Sequence, residues 1–170
     1  IQVIIVNDGS KDNTINVAKK LESFYSPDNI CIVDKPNGGH GSTINEGLKR
    51  AVGKYVRIMD GDDWVNNEDM EKLITILEKE VADVVLTDYS EDIAYTSVKD
   101  IKQIYQVMIP GKVYNFDELC YDGYGFEEYG PILATANFRT ELLKDRIKLT
   151  EKCFYVDMEF DAYSIKDVNT

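Results

Sequence analysis

Cysteine, histidine and positive charge are all in short supply in this chain, and each shortage excludes something. Three cysteines, Cys31, Cys120 and Cys153, are scattered through 170 residues. They are odd in number and form no C-x-x-C pair, which argues against a disulfide framework and for reduced thiols in a cytoplasmic protein. Lysine and arginine total 19 against 31 aspartates and glutamates, a formal net charge of −12. Such a surface repels phosphate backbones and anionic headgroups, so no nucleic-acid or membrane-surface role is expected. No run is long and apolar enough to span a bilayer, and no signal peptide is read. The longer protein could still be membrane-associated. The chain opens on Ile1 inside an apolar run, without methionine, and is expected to be a fragment lacking its natural N-terminus. No repeat or low-complexity segment interrupts it.

The sequence does contain a regular alternation of strand and helix signals. Val3 to Val6 is a β-branched run that ends in the turn cluster Asn7-Asp8-Gly9-Ser10. Ile15, Ala18, Leu21 and Tyr25 then recur at helical spacing, with Ser10 or Asp12 as the cap. Ile30 to Val33 reads as a second strand. Ile44, Leu48, Ala51 and Val52 mark a second helix, and Tyr55 to Met59 a third strand. Met70, Leu73, Ile74 and Leu77 mark a third helix, and Val84 to Leu86 a fourth strand. This order predicts an α/β domain with a mostly parallel central sheet flanked by helices. After about Asp88 the pattern loosens. Ile93 to Met108 suits a hairpin or irregular excursion, Phe116 to Tyr121 a short helix, and Ile132 to Phe138 a strand. A short helix follows from Thr140, and a terminal helix covers Phe154 to Ile165. The reading is one domain over 1–170, with a binding part (1–88) and an acceptor-side part (89–170). Tyr121 to Phe138, rich in aromatic and small residues, is the candidate acceptor region.

Four segments carry chemistry. Asp60-Gly61-Asp62-Asp63 follows the third strand, and ligands of open α/β sheets bind at the carboxyl ends of strands. Clustered carboxylates there call for a cation, and Mg²⁺ or Mn²⁺ completes its shell with substrate phosphate oxygens. An acidic enzyme that takes an anionic substrate needs such a neutraliser. Taken alone, the cluster serves equally well as an acidic turn before a helix. It is not a calcium EF-hand loop, because Val65 stands where that loop requires glycine. Asp8 ends the first strand, where a carboxylate can accept from a base or sugar, although a simple turn also explains it. Asn37-Gly38-Gly39-His40-Gly41-Ser42 opens a helix, and its glycines permit close approach to phosphate. His40, the only histidine, reads as solvated rather than catalytic. Asp157 and Glu159 lie among aromatics in the tail, as a general base would, or as a solvated acidic helix face would.

In order, these segments resemble glycosyltransferase family 2, the inverting enzymes of GT-A fold. The resemblance rests on Val6-Asn7-Asp8-Gly9-Ser10, on Asn37-Gly38-Gly39 with Asn45 and Gly47, on Asp60-Gly61-Asp62-Asp63, and on Asp157 before Met158-Glu159-Phe160. It implies a nucleotide-sugar donor, a UDP-sugar of hexose type, and a glycan or other hydroxyl acceptor. Asp8 would bind the base, and Asn37, Gly38, Gly39, Asn45 and Asp60 would complete the donor site. Asp60 and Asp62 would form the D-x-D motif, with Asp62 the main ligand of Mg²⁺ or Mn²⁺. Asp157 would be the catalytic base. Val156 stands where the family often has Glu, and Glu159 is the alternative base. The family's first strand and helix are missing by this comparison. Two rival readings are a nucleotidyltransferase, which would want a basic glycine-rich loop where only Lys11 stands, and a non-catalytic nucleotide-sugar binding module.

Overall fold

In the computed structural model, residues 1–26, 28–92, 99–102, 108–121 and 133–170 are described. The opening β-branched run forms β1 (Val3–Asp8), and β2 (Ile30–Lys35) pairs with it in parallel. The register runs from Val3 opposite Ile30 to Asp8 opposite Lys35. It therefore sets an acid and a base side by side at the carboxyl ends of the two strands. The connecting helix α1 spans Thr14–Phe24. Asp12 accepts from the Thr14 amide at 3.0 Å, so Asp12 rather than Ser10 satisfies the first turn. Ala18 is buried on α1, but Leu21 and Tyr25 of the expected apolar face stay exposed.

Helix α2 (His40–Arg50) rises directly from the glycine-rich loop and buries Gly41, Ser42, Ile44, Asn45 and Leu48 along one side. After β3 (Tyr55–Val56) comes α3 (Asn67–Lys79), capped by Asn66, whose side chain accepts from the Asp69 amide at 3.1 Å. Next are β4 (Val84–Leu86) and the antiparallel hairpin β5 (Tyr89–Asp92) and β6 (Lys99–Lys102). The remaining elements are α4 (Phe116–Tyr121), β7 (Ala136–Arg139), α5 (Thr140–Leu143) and α6 (Val156–Ser164).

Two expectations are corrected. The third strand is two residues long rather than five, because Arg57 to Asp60 find no ladder partner among the described residues. The expected mostly parallel central sheet is also not found: among the described residues β1 and β2 form a two-stranded parallel sheet, while in a separate sheet β7 lies antiparallel between β3 and β4. A parallel neighbour needs a crossover unit, whereas the long segment after β4 lets β7 enter the sheet in the opposite sense. Most of the acceptor-region reading, residues 122–132, lies outside the described residues.

One apolar cluster joins the two parts. Ile44 and Leu48 of α2 pack with Ala136 and Phe138 of β7, with Leu143 and Leu149, and with Val156 and Phe160 of α6. Phe138 and Phe160 meet edge to face, centroids 5.5 Å apart and planes at 84°. Val156, Phe160 and Ser164 are the buried residues of α6. Their four-residue spacing fixes which side of the helix faces the core.

Candidate active site

Asp8 organises the glycine-rich loop. Its Oδ1 accepts from Lys35 Nζ and from the Gly38 amide at 2.8 Å, and its Oδ2 accepts from the Gly39 amide at 2.8 Å. Lys35 Nζ also donates to Ser42 Oγ at 2.6 Å and to the Pro36 carbonyl at 3.0 Å. Asn37 Nδ2 donates to the Asp8 carbonyl at 3.1 Å. Burial alone would raise the Asp8 pKa. The Lys35 bond and the two amides outweigh it and hold the carboxyl below the ordinary aspartate value. A carboxylate offers about four acceptor sites. Oδ1 is also within 3.5 Å of the Ser42 hydroxyl, while Oδ2 takes the Gly39 amide alone among the described residues, which leaves capacity on Oδ2. Gly9 is required here: its φ is +75°, and a Cβ would lie 2.8 Å from the Asn37 amide nitrogen.

The same loop is fastened to the tail. The Lys152 amide donates to the Gly38 carbonyl at 2.7 Å. Asn45 is buried, and its amide pairs both ways with the Leu149 backbone at 2.9 Å. Both functions of the Asn45 amide are thus engaged in a clamp between α2 and the approach to α6. A Cβ at Gly41 would lie 2.3 Å from the Thr150 carbonyl oxygen, so α2 meets this segment through bare backbone.

Between the segment that follows β3, α3, the segment that follows β4 and α6 lies a cleft of about 1420 Å³. Asp60 and Asp63 line it, together with Trp64, Asp88 and, from the far end of the sequence, Asp157 and Asp161. Asp62 is exposed and is not among the lining residues. Asp60 is also exposed, and His40 Nε2 stands 3.6 Å from its Oδ1. The histidine read as solvated therefore borders the cleft beside the acidic loop. Among the described residues, no cluster of three histidine, cysteine or acidic side chains could hold a metal.

On α6, Asp157 is exposed at the cleft, while Glu159 is engaged elsewhere. Both carboxylate oxygens of Glu159 accept from Thr150, one from its amide and one from its hydroxyl, each at 2.9 Å. Asp161, not singled out from sequence, lies one turn beyond Asp157 and lines the same cleft. Its Oδ1 is shut off from solvent and has no hydrogen-bond partner. Burial and then the charge of Asp157 push its pKa up to about 6. The i, i+4 spacing was visible in the sequence, but the missing donors were not.

An α/β frame with a glycine-rich loop, and an acidic loop that shares a cleft with a distant carboxylate, fit a glycosyltransferase. The family described as Glycosyl transferase family 2 matches residues 1–127, and the chain belongs to it. Asp157 lies beyond the matched residues. EpsH of Bacillus subtilis (strain 168), named as a glycosyltransferase, is 34% identical over 110 residues, 62% of this chain and 31% of EpsH. The minor teichoic acid biosynthesis protein GgaB of the same organism is 38% identical over 79 residues, 46% of this chain and 9% of GgaB. RP339 of Rickettsia prowazekii (strain Madrid E), named as an uncharacterized glycosyltransferase, is 42% identical over 79 residues, 46% of this chain and 23% of RP339. The matched stretch thus spans less than a third of each of these relatives.

Proposed function

We propose that this domain transfers a sugar from a nucleotide-diphosphate donor, a UDP-hexose by expectation, to an acceptor hydroxyl with inversion at the anomeric carbon. The observation that carries the reading is the meeting of Asp60 and Asp63 with Asp157 in the walls of one cleft, although about a hundred residues separate them in sequence. GgaB's name points to teichoic acid biosynthesis, and a polysaccharide or polyol polymer is the acceptor class we favour.

Asp157 takes the proton of the acceptor hydroxyl. That oxygen forms its bond to the anomeric carbon as the bond to the diphosphate breaks, from the opposite face, which inverts the centre. Asp8 and the glycine-rich loop hold the base and orient the donor. Glu159, tied to Thr150, steadies the helix that carries Asp157. The acidic loop fits Mg²⁺ or Mn²⁺, because such hard ions take one or two protein carboxylates and fill the shell with substrate oxygens. Asp60 and Asp62 are the residues proposed to hold it. When bound, the metal supplies Lewis-acid stabilisation of the leaving diphosphate.

The test is calorimetric titration of the chain with UDP, with and without Mn²⁺, on wild type and Asp62→Asn. Binding should require Mn²⁺ and be strongly weakened in the variant. Equal affinity of the two proteins in Mn²⁺ would sink the metal assignment, and Asp63→Asn would then be the variant to examine.

A further inference from the structure

Among the described residues, six aspartates line the cleft: Asp60, Asp63, Asp69, Asp88, Asp157 and Asp161. Among the described lining residues Arg57 is the one arginine or lysine. It directly follows β3 on the way to the acidic loop, and its side chain is half-buried. A guanidinium has five N–H donors. Among the described residues Nε is shut off from solvent without a partner, Nη1 reaches Thr87 Oγ1 at the long distance of 3.5 Å, and no carboxylate forms a salt bridge with the guanidinium. A buried charge is normally paired, because leaving water without compensation is costly. An arginine held in this condition, in a protein of net charge −12, needs an explanation that the fold does not provide.

We propose that Arg57 is the anion-binding residue of the cleft and takes a phosphate or carboxylate group of the ligand on its guanidinium fork. The inference rests on the transferase reading for the identity of that ligand. The fork matches both groups in shape, and an ammonium would not. Two sources supply this chemistry. One is the diphosphate of the donor. The other is an acidic sugar, carried by donor or acceptor. Burial lowers the pKa of Arg57 against the pull of Asp63, yet an arginine stays charged at any working pH. The charge is therefore permanent, and a ligand anion relieves it.

The experiment titrates the chain, in Mn²⁺, with uridine, UDP, pyrophosphate and glucuronate, using wild type, Arg57→Gln and Arg57→Lys. Loss of one charge-assisted contact should weaken the responding anion about 10–100-fold in Arg57→Gln and less in Arg57→Lys, and leave uridine unchanged. Weakened pyrophosphate and UDP identify the diphosphate as the source. Weakened glucuronate with unchanged UDP identifies the acidic sugar. Arg57→Met guards against a fold defect. With no buried charge, it should melt at a higher temperature than wild type, and pyrophosphate or glucuronate should raise that temperature no further. If all anions bind Arg57→Gln within twofold of wild type, or stabilise Arg57→Met as much as wild type, the inference is overturned. Mn²⁺-dependent UDP binding, with neither UDP, pyrophosphate nor glucuronate depending on Arg57, removes this inference alone. Arg57-dependent binding of pyrophosphate or glucuronate without any binding of UDP removes the transferase reading alone. A wild type that binds none of the anions removes both.

Discussion

Two carboxylates of this chain are treated in opposite ways. Asp8, at the end of β1, is surrounded by donors: Lys35, Gly38 and Gly39 all bond to it. Asp161, on α6, has an oxygen buried with no donor among the described residues and the charge of Asp157 one turn away. The first is held ionised, and its charge assembles a loop. The second is pushed toward its protonated form, and its charge is a liability to the fold. The difference separates the regions by task. The β1 and glycine-loop region is a densely hydrogen-bonded frame, suited to holding a donor. The α6 region keeps Asp161 under-satisfied at a cleft, which is where acid–base chemistry is found.

The largest effect should come from the residue between these extremes. Asp157→Asn is expected to lower the transfer rate about 10²–10⁴-fold, the range of positioned acid–base catalysis, with donor affinity intact. Rate and affinity measured in parallel check this, and a rate near wild type would move the base elsewhere. Asp8→Ala should act on the other side of the comparison. It strips Lys35 and two loop amides of their acceptor, so stability should fall by about 2–3 kcal/mol and UDP affinity with it, as read by urea unfolding and calorimetry. Its folded pKa is depressed, so this contribution is present above the unfolded value and is lost as pH falls through the folded value.

Asp161→Asn should do the reverse. A pKa raised from 3.8 to about 6 means the folded state retains a proton that the unfolded state releases. Stability therefore declines as pH rises from about 4 to about 6, and the full penalty stands above that. The neutral asparagine should stabilise the fold by about 1–2 kcal/mol at pH 8 and change little at pH 4. Urea unfolding at the two pH values decides it, and equal effects at both would show that Asp161 is not held protonated. The smallest change is expected from Glu159→Gln, which weakens two exposed bonds to Thr150. A loss of about 0.5 kcal/mol with a near wild-type rate would keep Glu159 as a brace, whereas a collapsed rate would exchange its role with that of Asp157.

Much of this frame was legible in the sequence. The β-branched run before Asn7-Asp8 and the apolar spacing of α2 are local signals, and local signals survive folding. The span Phe116–Tyr121 was read to the residue. What the sequence hid depends on contacts between distant positions. Asn45 pairs with Leu149, 104 residues away, and looks from its motif like a ligand contact. Tyr55 to Met59 has strand composition, but β7 provides partners only as far as Val56. Arg57 and Asp161 resembled ordinary charged residues, because orphaned buried atoms belong to the packed state and leave no mark on composition.

The seam between α2 and the segment before α6 has a consequence for recombination. Gly41 against Thr150, Asn45 against Leu149 and Gly38 against Lys152 interlock like the teeth of a key. A chimaera that exchanges the acceptor half at residue 88 for that of a relative severs all three at once. Grafts meant to alter the acceptor should therefore carry residues 38–45 together with 149–152 as one inherited unit, even though a hundred positions of primary structure lie between them.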